Sequence, residues 1–276
     1  MVSDPFLVGV FFGFVPSMGF LYILLHNYEG LFNDKRAFFA YLIGLGAGLI
    51  ATIFQMFLGP SGAETPTVAF LEILLFGVVH ALLFAMALNS KRFRGKRDTP
   101  FYGVAFGLGF GALNVLFLVG NAVAQLARTP GPVLVETLSL SYIGLYFMGS
   151  ILLHAAVGAW IGKGSATRSI FQPLLKSAAA EAIFLGGFYL LFLEPWGSFV
   201  PIVGLSLAIA LIAHVLKHDL DTIIPPEVRH EMEIHQRRLA RQSMLEATGS
   251  SGTDPAEART TAAAPEAPKP LDPQDR

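Results

Sequence analysis

The sequence predicts an all-α integral membrane protein. It would be a bundle of about seven transmembrane helices, with the N-terminus outside and the C-terminus in the cytoplasm. Three observations carry that expectation. The 276 residues are 53% hydrophobic and only 14% charged, whereas a soluble domain carries about 25% charged residues. Apolar segments of about 18 residues or more, nearly free of charge, recur along the chain at a length that crosses a bilayer. Basic residues collect in alternate connections. The formal net charge of -1 gives no reason to expect a nucleic-acid partner. With no cysteine, disulfides, thiolate zinc sites and cysteine nucleophiles are excluded.

Taken in order, the apolar segments run over 5–26, 37–59, 66–89, 101–127, 138–162, 170–193 and 196–216. Each is long enough for a hydrocarbon core of about 30 Å at about 1.5 Å per residue. The first lacks a basic region ahead of it and continues past Pro16, so it reads as a retained helix and not a cleaved signal peptide. Lys35 and Arg36 lie in the first connection, and Lys91, Arg92, Arg94, Lys96 and Arg97 in the third. The fifth connection and the start of the sixth segment add Lys163, Arg168 and Lys176. The alternate connections hold only Arg128. That asymmetry puts the odd loops in the cytoplasm of a multi-pass protein of the cytoplasmic (plasma) membrane.

The transmembrane domain therefore spans 1–217. Residues 218–247 follow as a cytoplasmic helical segment, in which Glu233 and Arg237 sit four apart. Residues 248–276 are rich in Ala, Pro, Thr and Glu, a composition that cannot bury a core and predicts a disordered tail.

Inside the membrane the polar residues form a short list: Gln55, Glu72, His80, Asn114, Asn121, Gln125, His154, Ser177 and Glu181. Ionisable groups at such depth are rare and point to function. Gly103, Gly107, Gly111 and Asn114 recur at helical spacing on the fourth segment, a small-residue stripe that lets another helix approach closely. Asn114 would then face the bundle, as an interhelical hydrogen-bond group or something more. Ser150, His154 and Gly158 repeat the device on the fifth segment. His154 lies roughly 13 Å from Lys163 along the helix, near mid-depth; a bond to a backbone carbonyl, a metal and a proton are all open roles for it. Glu181 follows Lys176 closely, whereas Glu72 falls roughly 28 Å from Lys91, near the outer surface. His80, Asn114, His154 and Glu181 could share one depth. No spacing here is a self-sufficient metal motif.

Several stretches resemble the PrsW family of intramembrane metalloproteases, within the wider CAAX-protease-like group. The resemblance covers about residues 10–192. It begins with Pro16 in the first segment, the stretch LLHNYEGLFNDKR and a glycine-rich second segment. TVAFLEILLFG stands where the family has EExxK, with Glu72 in the second glutamate's place and Leu71 and Leu75 at the other two positions. YGVAFGLGFGALNV matches YGxxxGxGFxxxEN through Gly109 and Phe110, then departs, with Asn114 for the glutamate and Val115 for the asparagine. LLHAAVGAWIG supplies the family's histidine as His154, and SAAAEAIFLGGFYLLF offers Glu181 where a later histidine is usual.

The resemblance implies catalytic candidates at Glu72, Asn114 and His154, and a Zn2+ cofactor if protease chemistry survives. His154, Glu181 and His80 are then the candidate metal ligands. The exchanges at Leu71, Leu75 and Asn114 favour a degenerate, non-catalytic relative that binds or scaffolds in the membrane. The enzymatic alternative is a divergent zinc metalloprotease acting on membrane-anchored proteins, in which Asn114 would hold an oxyanion. A proton-coupled transporter using His80, His154 and Glu181 is a further alternative. Expected partners are membrane lipids and a membrane-anchored protein, as substrate or as binding partner.

Overall fold

A computed structural model describes residues 5–58, 66–128, 133–190, 200–220 and 244. The chain divides into two units, 1–223 and 224–276. Apart from residues 218–220 and Met244, the expected C-terminal helix and the whole expected tail lie outside the described residues.

Every regular element among the described residues is helical. The order is α1 (Pro5–Leu25), a 3-10 turn (His26–Tyr28), α2 (Asp34–Leu58), α3 (Pro66–Leu88), α4 (Thr99–Arg128), α5 (Val133–Thr167), α6 (Phe171–Leu190) and α7 (Val200–His214). The last runs straight into a π-helical turn, Val215–Leu220. Among the described residues, six helices are long and apolar enough to cross a membrane: α1 to α5, and α7 with its π-turn. This is a multi-pass architecture. The sequence led us to expect seven such spans; α6 is not among the six, and Gln172, Lys176, Ser177 and Glu181 dilute its apolar content.

The burial pattern ranks the helices. In α4 and α5 the described spans are 94% and 83% buried, against values between 22% and 39% for the other four. The outer helices turn large apolar side chains outward, such as Phe11, Phe57 and Phe70, as expected where lipid and not water is the solvent. Leu71 and Leu75 are 58% and 55% exposed. They belong to this outward surface, where a leucine is at home and an ionised side chain would be costly.

Two helices can occupy the centre only if their neighbours approach closely, and small residues permit that. Gly9 and Gly13 of α1 lie against the backbone of Leu116 and Ala112, and Gly44 and Gly48 of α2 against that of Phe106 and Phe110. On the other side of α4, Gly103 faces the carbonyl of Gly158 and Gly107 that of His154, too close for a Cβ to fit at either position. Gly111 meets Ile151, whose Cα would lie 2.9 Å from an added Cβ. The stripe Gly103–Gly107–Gly111 is thus the surface on which α5 rests. Without a hydrophobic drive between helices in lipid, such backbone-to-backbone packing is a principal source of association. Gly77 gives α3 the same close approach to Ala178 and Ala182 of α6.

Polar contacts fix the arrangement. Ser17 and Tyr41 share a 2.8 Å hydrogen bond between α1 and α2. Asn33 caps α2 by accepting the Arg36 N–H at 3.1 Å. The Tyr102 hydroxyl donates to Asp98 at 2.5 Å and accepts the Asn33 N–H at 3.1 Å, joining the first connection to α4.

Candidate intramembrane metal centre

The close α4–α5 and α3–α6 contacts bring three helices' ionisable residues into one place. His80 comes from α3, His154 from α5 and Glu181 from α6. One donor atom from each lies within 4.8 Å of the others, and their exposures are 0%, 2% and 1%. It is the one such group of three among the described residues. His80 Nδ1 and His154 Nε2 each stand 3.3 Å from the same oxygen, Oε2 of Glu181.

Proton arithmetic makes this arrangement informative. His154 Nδ1 lies 2.6 Å from the backbone carbonyl of Ser150, one helical turn earlier. A carbonyl only accepts, so Nδ1 carries the proton. In neutral His154 the Nε2 atom then presents a lone pair, and it faces a carboxylate oxygen without forming a hydrogen bond. Glu181 Oε1 has no hydrogen-bond partner either among the described residues. Two electron-rich atoms aimed at each other in a buried space need a proton or a cation between them. On the far side of the cluster, His80 Nε2 is 3.2 Å from the side-chain amide nitrogen of Gln55. The Gln55 Oε1 atom is buried and unpaired. Rotating that amide would let Oε1 accept the His80 Nε2–H and leave the Nδ1 lone pair directed inward.

These residues fit a metal ion. A tetrahedral zinc with ligand bonds of about 2.0–2.1 Å spaces its donors about 3.4 Å apart, close to the two 3.3 Å separations. Two imidazoles and one carboxylate are a donor set used by zinc hydrolases, with a fourth position open. Each histidine also has an outer partner on its other nitrogen, Ser150 carbonyl for His154 and Gln55 for His80. Such partners hold ligand rings in orientation. Aromatic rings wall the cluster: the Phe110 ring centre lies 5.0 Å from His80, edge to face, and 5.0 Å from His154, tilted, while Phe84 stacks 6.3 Å from His154.

The other sequence candidates stand apart. Asn114 is buried and pairs with Thr52 of α2 at 3.3 Å; the Thr52 hydroxyl also lies 2.9 Å from the Gly48 carbonyl. One hydroxyl proton cannot serve both acceptors, so the balanced assignment sends it to Gly48 and has the Asn114 amide donate to Thr52. Asn114 is thereby an α4–α2 bridge. Glu72 precedes His80 on α3 by about 12 Å of helix rise, is half-buried and is not a member of the cluster; its Oε2 has no hydrogen-bond partner. Ser177, one turn before Glu181, is fully buried with an unpaired hydroxyl. The side chains of Asn121 and Gln125 lie outside the described residues. In the sequence Gln55 stands out as an intramembrane polar residue without an evident role. The available signal was its place three residues after Thr52, on one face of α2.

No family model, no curated protein and no solved structure matches this chain.

Proposed function

We propose that this chain is a zinc-binding intramembrane hydrolase, a divergent relative of the PrsW-like metalloproteases that cleaves membrane-anchored proteins. One observation supports the reading above all: a two-histidine, one-glutamate set meets inside the helical bundle with two of its own atoms unsatisfied. The same donors also serve iron(II) in other enzymes; the glycine-rich YGVAFGLGF stretch and its resemblance favour zinc. The proposal includes seven spans, with α6 as the additional one, the N-terminus outside, the C-terminus in the cytoplasm, and residence in the cytoplasmic membrane. The ten basic residues of the odd connections support that topology.

His80, His154 and Glu181 would hold the ion. Zinc supplies Lewis acidity toward water and a carbonyl oxygen. The protein's own residues do the rest. The Ser150 carbonyl holds His154 with its Nε2 lone pair inward, and the Gln55 amide, rotated, would hold His80 with its Nδ1 lone pair inward. Phe84 and Phe110 exclude bulk water and lower the local dielectric, which strengthens each electrostatic contact. Glu181 Oε1, having no other partner, is the atom placed to take up a proton.

A second reading is a non-catalytic scaffold. What favours it is that Asn114 is occupied by Thr52 and Glu72 lies outside the cluster, so among the described residues no second carboxylate joins Glu181. Cleavage assays separate the two. Reconstituted wild type should cut membrane-anchored peptide substrates, and both His154→Ala and chelator should abolish cutting. Zinc-loaded, folded protein that cuts none of a broad anchored-peptide set would refute the enzyme and leave the scaffold.

A further inference from the structure

A second polar site lies where α5, α6 and the π-turn after α7 converge. The corner between α5 and α6 is tight: Ser169 N–H donates to the Gly164 carbonyl at 2.9 Å, and Arg168 takes φ 58°. Gly164 has no room for a Cβ, which would come within 2.8 Å of the Pro173 ring. The corner leaves a hollow of about 150 Å³ beside it, reached by Trp160, Lys163, Ser169, Gln172, Lys176 and Asp219. The π-turn carries Asp219 to the α5 side, and π-helical segments recur at functional sites.

The hollow's chemistry is that of an anion site. Among the described residues its one acidic group is already engaged, since Asp219 accepts from Lys163 Nζ at 2.6 Å and from Trp160 Nε1 at 2.9 Å. Lys176 is exposed and has no ion-pair partner among the described residues. Among the described residues, two ammonium groups against one carboxylate leave a net positive charge. The exposed Gln172 and Ser169 add neutral donors. A divalent cation would find no uncommitted carboxylate here among the described residues. Trp160, Lys163 and Lys176, which line the hollow, are the residue types that mark the membrane–water interface. Basic pockets between helices at that level suit phosphate head groups.

We infer that this hollow binds a phosphate group, with Lys176 and Lys163 as the charged contacts and Trp160 holding Asp219 aside. At the membrane edge the group can come from an anionic phospholipid or from a soluble phosphate, and the shared chemistry is a tetrahedral anion. The site is remote in chemistry from the metal cluster and does not depend on the hydrolase reading.

The test uses the full chain in nanodiscs of phosphatidylcholine doped with phosphatidylglycerol, followed by native mass spectrometry of retained lipid. Inorganic phosphate titrated into phosphatidylcholine-only nanodiscs, read by ³¹P NMR, forms the second arm. Wild type should retain phosphatidylglycerol over phosphatidylcholine, and Lys176→Gln should weaken that retention about fivefold, the effect of one basic residue near a charged surface. The double variant Lys163→Gln/Asp219→Asn removes a pair without changing net charge and guards against misfolding of the single Lys163 variant; it too should lose retention. Preference for the lipid without phosphate binding assigns the site to a head group. Phosphate binding that Lys176→Gln weakens, without lipid preference, assigns it to a soluble ion. Neither preference nor phosphate binding, or retention unchanged in both variants, overturns the proposal. Zinc content, measured alongside, should be the same in all these proteins.

Discussion

Exchange of Glu181 for glutamine tests whether the buried cluster is a metal centre or an internal ion pair. The substitution keeps the shape of the side chain and removes one negative charge. If the cluster were only an imidazolium–carboxylate pair, the 3.3 Å contacts to His80 and His154 would lose their charge partner. Removing one member of a buried pair costs about 3–5 kcal/mol, with or without zinc. If the cluster binds zinc, the cost is conditional. Wild type at a free zinc concentration of about 100 Kd gains about 2.7 kcal/mol, which for a chain of this size raises Tm by about 5–10 °C. Glu181→Gln should lose most of that gain, and in chelator it should unfold within about 1 kcal/mol of the apo wild type, because the new amide N–H can donate to the inward lone pair of His80 Nδ1. The assay is thermal unfolding in detergent, with zinc and with EDTA, for both proteins. A wild-type Tm that ignores zinc and EDTA, with a variant uniformly less stable, would refute the metal account.

Further outcomes concern the shell around that cluster. Gly107→Leu drives a side chain into the His154 carbonyl; it should cost about 1–3 kcal/mol or more in thermal stability and lower zinc content with it. Gly46→Ala, where an added Cβ meets nothing within 4 Å, should leave both unchanged. Gln55→Leu removes the outer partner of His80, and chelator competition should show zinc affinity falling about 10–100-fold in a folded protein. Thr52→Val takes away the α2 partner of Asn114; denaturation should show a loss of about 1–3 kcal/mol, with zinc content untouched.

Much of the fold was legible because the bilayer imposes a simple rule on length and charge. The apolar runs anticipated the helices to within a few residues, although α5 extends beyond its expected limits at both ends, over Val133–Thr167. The regular spacing of Gly103, Gly107 and Gly111 marked a contact face, and the α5 backbone lies against it. What periodicity could not give was which helices meet. His80 and Glu181 are 101 residues apart, and only the pairing of α3 with α6 through Gly77 brings them together. Gln55 was hidden for the same reason, since its role depends on a neighbour from α3. Asn114 stood out as a costly residue in lipid, yet its cost is offset by Thr52, an ordinary residue that no motif would select.

The most direct measurement is the metal content of the full chain, purified in detergent without added metal or chelator, beside His154→Ala checked for folding by circular dichroism. The wild-type chain should carry near one zinc and the variant almost none. A folded wild-type protein that carries no metal and takes up none from micromolar zinc would contradict a metal centre.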